Sequence, residues 1–145
     1  HPLARAVRAD KTALAGTAET LRHYLRGDAL DQIPVWQMIS AEPEMLRLRC
    51  QEWIARLGDP EQVTVVETRS AIGGGSLPGE MLPSWGLSIS TGHPDRLARR
   101  LRTGTPAIMP HIEDERLIID ARTVLAGQDD KLINGLIAVL TDDRE

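Results

Sequence analysis

The sequence predicts an α+β domain of about four mostly antiparallel strands covered by helices on one face. Three observations lead to it. Short β-branched or alternating stretches at 62–69, 84–90, 107–112 and 116–122 are interleaved with helical stripes. One connection, "EDER", is short enough for a hairpin. The apolar stock is aliphatic, with no Phe, one Tyr and three Trp, so Leu, Ile, Val and Ala must fill the core.

The elements follow in order. Residues 2–26 read as one long helix: Pro2 suits the first turn, Leu3, Val7, Leu14, Leu21 and Leu25 share a stripe, and Gly27-Asp28 ends it. Such a helix cannot bury its stripe against itself and must dock elsewhere. In "DQIPVWQMIS", Ile33-Pro34 predicts an extended, irregular connector with an apolar anchor. Ser40 is a good N-cap for a helix over 41–57, which Gly58 and Pro60 stop. Residues 62–69 ("QVTVVETR") and 84–90 ("SWGLSIS") read as strands. Pro94 opens a helix to Arg102, and 107–112 with 116–122 make the hairpin. A last helix begins near Asp129, where acidic residues favour the positive end of the helix dipole, and runs through Leu140. The organisation predicted is a helix and connector over 1–38 and an α+β domain over 39–145.

Composition excludes several functions. A net charge of −4 gives no bulk attraction to nucleic acid or to an anionic membrane, so binding of either kind needs a local basic patch. The single cysteine, Cys50, cannot make an intrachain disulfide and favours a reducing, cytoplasmic setting. It shares a 4-3-4 stripe with Leu46, Trp53 and Leu57, so it reads as a core thiol. The four histidines show no ligand spacing and predict no metal. No apolar run reaches membrane-spanning length. The opening on His-Pro, without Met, reads as a fragment or a proteolytic product.

"SAIGGGSLPGEMLPSWGLSI", residues 70–89, raises the question of a phosphate loop. A Walker loop needs Lys and then Ser or Thr after its last Gly, and here Gly79 is followed by Glu80 and Met81. A dinucleotide fingerprint must open a helix, which Pro78 and Pro83 block. What remains is a loop able to approach another chain or a ligand closely, or a plain connection between strands.

Three arginine features are candidates. Arg5 and Arg8, three apart, would project from one helix face, where two guanidiniums suit a phosphate or carboxylate; a solvated polar face has the same spacing. "RLARRLR", 96–102, fits an ordinary surface helix with Leu97 and Leu101 inward. Arg122 lies where an alternating strand runs out, reaching into a cleft or pairing with Asp120 or Glu115.

Four blocks in this order carry a resemblance: "HPLARAVRADKTALAGTAETLRHYL", "IPVWQMIS", "GGGSLPGEMLPSW" and "LARRLRTGTPAIMPHIEDERLIIDARTVL". Together they resemble the C-terminal third of bacterial selenocysteine synthase, L-seryl-tRNA(Sec) selenium transferase. The resemblance implies the small C-terminal domain of a pyridoxal-phosphate enzyme of the aspartate-aminotransferase fold (type I), preceded by a long linking helix at the junction with the large domain. It implies conversion of seryl-tRNA(Sec) to selenocysteyl-tRNA(Sec) with selenophosphate, through an aminoacrylyl intermediate on the cofactor. The missing large domain would hold pyridoxal phosphate, and the Schiff-base lysine would lie upstream, leaving no catalytic residue in this chain. Lys11 lacks the context of that lysine. Arg5 and Arg8 match the family's active-site arginine pair, associated with anion and selenium-donor binding. Gly73, Gly74, Gly75 and Ser76 match a loop expected to face the active site. Arg122 is a candidate, by analogy with the fold type, for a substrate carboxylate.

The partners implied are the rest of the chain's own polypeptide, seryl-tRNA(Sec), selenophosphate and a homo-oligomer of dimers, with no membrane. The segment "GTPAIMPHIEDERL" departs from the family's usual "GDPPVIGRIEDGRL", and Glu115 in place of Gly weakens the tight-turn signal. A related pyridoxal-phosphate lyase, acting for example on amino-sugar phosphates, and a non-catalytic module for tRNA docking or oligomerisation are the alternatives.

Overall fold

The structure, a computed structural model, describes residues 3, 7–73 and 79–142. The chain divides into two compact units, His1–Ser40 and Ala41–Glu145.

The first unit holds α1 (Lys11–Arg26), α2 (Ala29–Gln32) and α3 (Pro34–Ser40). The single helix expected over 2–26 is interrupted: residues 8–10 leave helical geometry and a new helix starts behind Asp10. Asp10 is extended (φ −72°, ψ 167°), and its carboxylate accepts the Ala13 N–H at 2.7 Å. A good N-cap ends one helix as readily as it begins the next. Gly27, at φ 77°, closes α1 in the left-handed conformation. The expected irregular connector is largely helical. Ile33 is extended ahead of its proline, as expected, but Pro34 then serves as the first residue of α3. Trp36 donates its indole N–H to the Tyr24 hydroxyl at 2.6 Å. Leu14, Leu21 and Leu25 of the α1 stripe are exposed, Leu25 at 88%.

The second unit contains α4 (Pro43–Arg56), β1 (Val63–Ala71), β2 (Met81–Ser90), α5 (Pro94–Thr103), β3 (His111–Glu113), β4 (Arg116–Asp120), a 3-10 turn (Ala121–Thr123) and α6 (Asp129–Asp142). Glu42, not Ser40, occupies the N-cap of α4, with Pro43 at the first helical position. The four strands form one antiparallel sheet in the order β1-β2-β4-β3, so the unit is α+β. The register runs from Val63 opposite Ile89 to Ala71 opposite Met81, and from Gly86 opposite Asp120 to Ser90 opposite Arg116.

Side chains alternate across a strand, so this register sorts the sheet into two faces. Val63, Leu87, Ile89, Leu117 and Ile119 pack with Leu46, Cys50 and Trp53 of α4, Leu97 and Leu101 of α5, and Leu132, Ile133 and Leu136 of α6. Each such aliphatic side chain contributes about 1.5–3 kcal/mol by leaving water. The other face carries Thr64, Thr68, Ser70, Ser84, Gly86, Ser88 and Asp120. Gly86 is required where β2 meets β4: a Cβ there would lie 2.5 Å from the Ile119 carbonyl oxygen. The β3–β4 turn forms despite having no glycine, with Asp114 at φ 46° and Glu115 at φ 60°.

Candidate functional site

The polar residues of the second unit gather where β1 ends, β2 begins and β4 ends. The register places Ser70, Ser84 and Asp120 on one face there, opposite the core. The Asp120 carboxylate accepts hydrogen bonds from the Ser84 hydroxyl at 2.6 Å, the Ser70 hydroxyl, and the Arg122 backbone N–H at 3.0 Å. The last of these caps the 3-10 turn, which turns the Arg122 side chain inward.

Arg122 is 5% exposed. Its Nη1 donates to the Ala41 carbonyl at 2.8 Å and its Nη2 to the Pro83 carbonyl at 2.6 Å. Burial pulls the guanidinium below its usual range, and the charges of Asp120 and Glu42 partly offset this. Two arms of the fork are therefore committed to backbone oxygens that tie the residue ahead of the α4 N-cap, and β2, to the end of β4. A ligand carboxylate would have to replace those carbonyls to use the same arms.

The glycine-rich segment lies between β1 and β2 in sequence. Its ends are held by pairing of Ala71 with Met81 and by the Ile72 N–H on the Glu80 carbonyl at 3.4 Å. Of its described residues, Gly79 takes φ 87°. Gly73 is described, whereas Gly74, Gly75 and Ser76 lie outside the described residues. Arg5 also lies outside them, and Arg8 is exposed just ahead of the Asp10 cap.

A cavity of about 580 Å³ is lined by Pro106, Met109, Asp120, Thr123, Gln128 and Lys131 among others. A groove of about 560 Å³ between α4 and the start of α6 is lined by Met45, Leu48, Glu52 and Arg56 with Asp129 and Asp130. Behind it lies an ion-pair network that sequence reading missed. Arg49 clamps Asp129 with Nε at 2.7 Å and Nη2 at 3.1 Å, and donates to the carbonyls of Val124 at 2.7 Å and Leu125 at 3.1 Å. Its guanidinium stacks 4.9 Å over the Trp53 ring, and the Trp53 indole N–H also reaches Asp129. The signal available was Arg49 and Trp53 at i, i+4 on a helix facing an acidic helix start.

No group of three or more His, Cys, Asp or Glu able to hold a metal occurs among the described residues. Cys50 is fully buried, and burial pushes its thiol up to about 12, so it is a core residue and no nucleophile. The chain's two lysines, Lys11 and Lys131, are both exposed. Neither occupies the desolvated pocket that activates a Schiff-base lysine, so this chain's residues do not fit as the covalent anchor of pyridoxal phosphate. No described helix is long and apolar enough to cross a membrane.

The comparisons with known proteins converge. The family model for L-seryl-tRNA selenium transferase matches residues 1–125. An L-seryl-tRNA(Sec) selenium transferase from Carboxydothermus hydrogenoformans is 37% identical over all of this chain and 32% of its own length. One from Moorella thermoacetica is 39% identical over 97% of the chain and 31% of its own. One from Geobacter sulfurreducens is 35% identical over 94% and 31%. The chain thus spans about a third of the length of the curated relatives it matches. With a match across more than four-fifths of its residues, the chain belongs to the L-seryl-tRNA selenium transferase family.

Proposed function

We propose that the chain is the C-terminal portion of a selenocysteine synthase, which converts seryl-tRNA(Sec) to selenocysteyl-tRNA(Sec) with selenophosphate. The family match over residues 1–125 supports this reading. The four-stranded antiparallel sheet with helices on one face is consistent with the small domain of a type I pyridoxal-phosphate enzyme, with residues 1–38 at the junction with the large domain. Pyridoxal phosphate belongs to this reading as a cofactor held outside the chain. The aminoacrylyl route implied by the resemblance is part of it, and no step of that route is assigned to a residue here. The chain by itself is inactive in this reading, because it supplies no lysine for the cofactor. A cytoplasmic setting and a homo-oligomer of dimers complete the proposal.

Arg5 and Arg8 are the anion-binding pair for the selenium donor, and the loop from Gly73 through Gly74, Gly75 and Ser76 faces the active site. Arg122 acts on the site by holding the backbone at Ala41 and Pro83. The test is selenium transfer to seryl-tRNA(Sec) by the full-length protein with selenophosphate. Conversion is expected, and Arg5→Ala or Arg8→Ala should each lower turnover about 10- to 100-fold, the loss of one charged hydrogen-bonding group. The cofactor absorbance should stay unchanged in both. Loss of the cofactor in either variant contradicts the role given to that arginine. No conversion by a cofactor-loaded wild type points to a lyase relative instead, with a phosphorylated amino sugar as the next substrate.

A further inference from the structure

Helix α5 presents three arginines, Arg96, Arg99 and Arg102, whose side chains pair with no carboxylate among the described residues. Leu97, Ala98 and Leu101 are buried and fix the helix's orientation. At about 100° per residue, Arg96 and Arg99 then fall opposite that buried face and Arg102 on its flank, and all three are exposed. None of the three guanidiniums has an ion pair or hydrogen bond with a described residue, in contrast to those of Arg22, Arg26, Arg47, Arg49 and Arg56, each of which holds a carboxylate. The helix's one acid, Asp95, sits in its first turn, where the dipole favours it. Exposed His93 stands at the N-cap, extending the row.

Three unpaired guanidiniums on one rigid helix repel one another, and an acidic chain of net charge −4 with 21 carboxylates offers ample means of pairing them. Leaving them bare is consistent with an external polyanion. From Arg96 to Arg102 the row extends about 9 Å along the helix axis, enough to follow consecutive phosphates of one nucleic-acid strand.

We propose that the outward face of α5 is an RNA-backbone contact, on which Arg96, Arg99 and Arg102 engage phosphates of the tRNA substrate. The proposal rests on the tRNA-dependent reading given above. The face positions the RNA and carries no sequence information, because phosphate contacts do not report base identity. A phosphate-only surface also needs no aromatic platform, which this aromatic-poor chain lacks.

The test is filter binding of unacylated tRNA(Sec) to the full-length protein between 50 and 300 mM KCl. Wild type is compared with the triple variants Arg96/Arg99/Arg102→Gln and Arg96/Arg99/Arg102→Lys. The Gln variant is expected to lose about tenfold or more in affinity near 150 mM salt, with the log–log salt slope shallower by about 2–3. The Lys variant should keep most of both, and an unrelated tRNA should lose affinity in the same proportion. Unchanged affinity and slope in the Gln variant overturn the proposal. So does a loss of affinity that accompanies a smaller oligomer on gel filtration, which would make an acidic surface of a second copy the occupant. Salt-dependent binding without selenium transfer rejects the functional reading and leaves this contact standing, whereas selenium transfer with a Gln variant that binds normally does the reverse. Thermal unfolding of the variants at the wild-type midpoint separates either result from misfolding.

Discussion

Asp129 shows how one carboxylate takes on a role its position in the sequence only half reveals. As the first residue of α6 it was expected at the positive end of the helix dipole, and it is there. The structure adds that Arg49 clamps both its oxygens, with the Trp53 indole on the same side. Burial alone would raise the Asp129 carboxyl, but the hydrogen bonds from Arg49 and Trp53 outweigh it and hold the group below the usual range. A depressed carboxyl contributes stability above its unfolded value of about 3.9, and that contribution is lost as pH falls through the lower folded value. Asp129→Asn is therefore expected to destabilise at pH 7 by about 1–3 kcal/mol. Its urea midpoint should also fall less steeply than the wild type's between pH 5 and 2.5. Parallel acid limbs for the two proteins would contradict the assignment.

At the level of elements, legibility followed periodicity. The strand stretches and the Leu97–Leu101 and Leu132–Leu136 stripes were plain because one face of each is buried in a single core. The break ahead of α1 was not, because Asp10 sits inside an apolar stripe whose members turn out to be solvent-exposed. The α2–α3 segment was obscured by a proline that reads equally well as a breaker or as a helix start. The site was less legible than the fold. Ser70, Ser84 and Asp120 meet only through strand register, and the two carbonyls on Arg122 belong to residues far away in sequence. The β3–β4 turn gives the element-scale prediction. Glu115 occupies φ 60°, a conformation that costs an L-residue about 1–2 kcal/mol and glycine almost nothing. After the larger chain entropy of glycine in the unfolded state is subtracted, Glu115→Gly should stabilise by about 0.5–1 kcal/mol, visible as a higher thermal midpoint. A lower midpoint would mean that the carboxylate contributes more there than the backbone loses.

Across the whole molecule, burial is unevenly shared. The apolar cluster belongs wholly to the unit Ala41–Glu145, whereas Ala29 is the one buried residue among those described in His1–Ser40. A polypeptide of residues 41–145 should therefore unfold cooperatively in urea, followed by the fluorescence of the core Trp53, and a 1–40 peptide should show no cooperative transition. Collapse of 41–145 to a non-cooperative state would show that the first unit is needed to complete that core. The strand order β1-β2-β4-β3 has a kinetic counterpart. β1 with β2, and β3 with β4, are neighbours in sequence and can zip up as separate hairpins, but β2 reaches β4 only after α5 and the segment behind it have been looped out. Topology therefore predicts that the slow event in folding is the meeting of two preformed hairpins along the seam from Gly86–Asp120 to Ser90–Arg116. During synthesis the first hairpin would then be expected to wait, the outer edge of β2 open, until the second has left the ribosome.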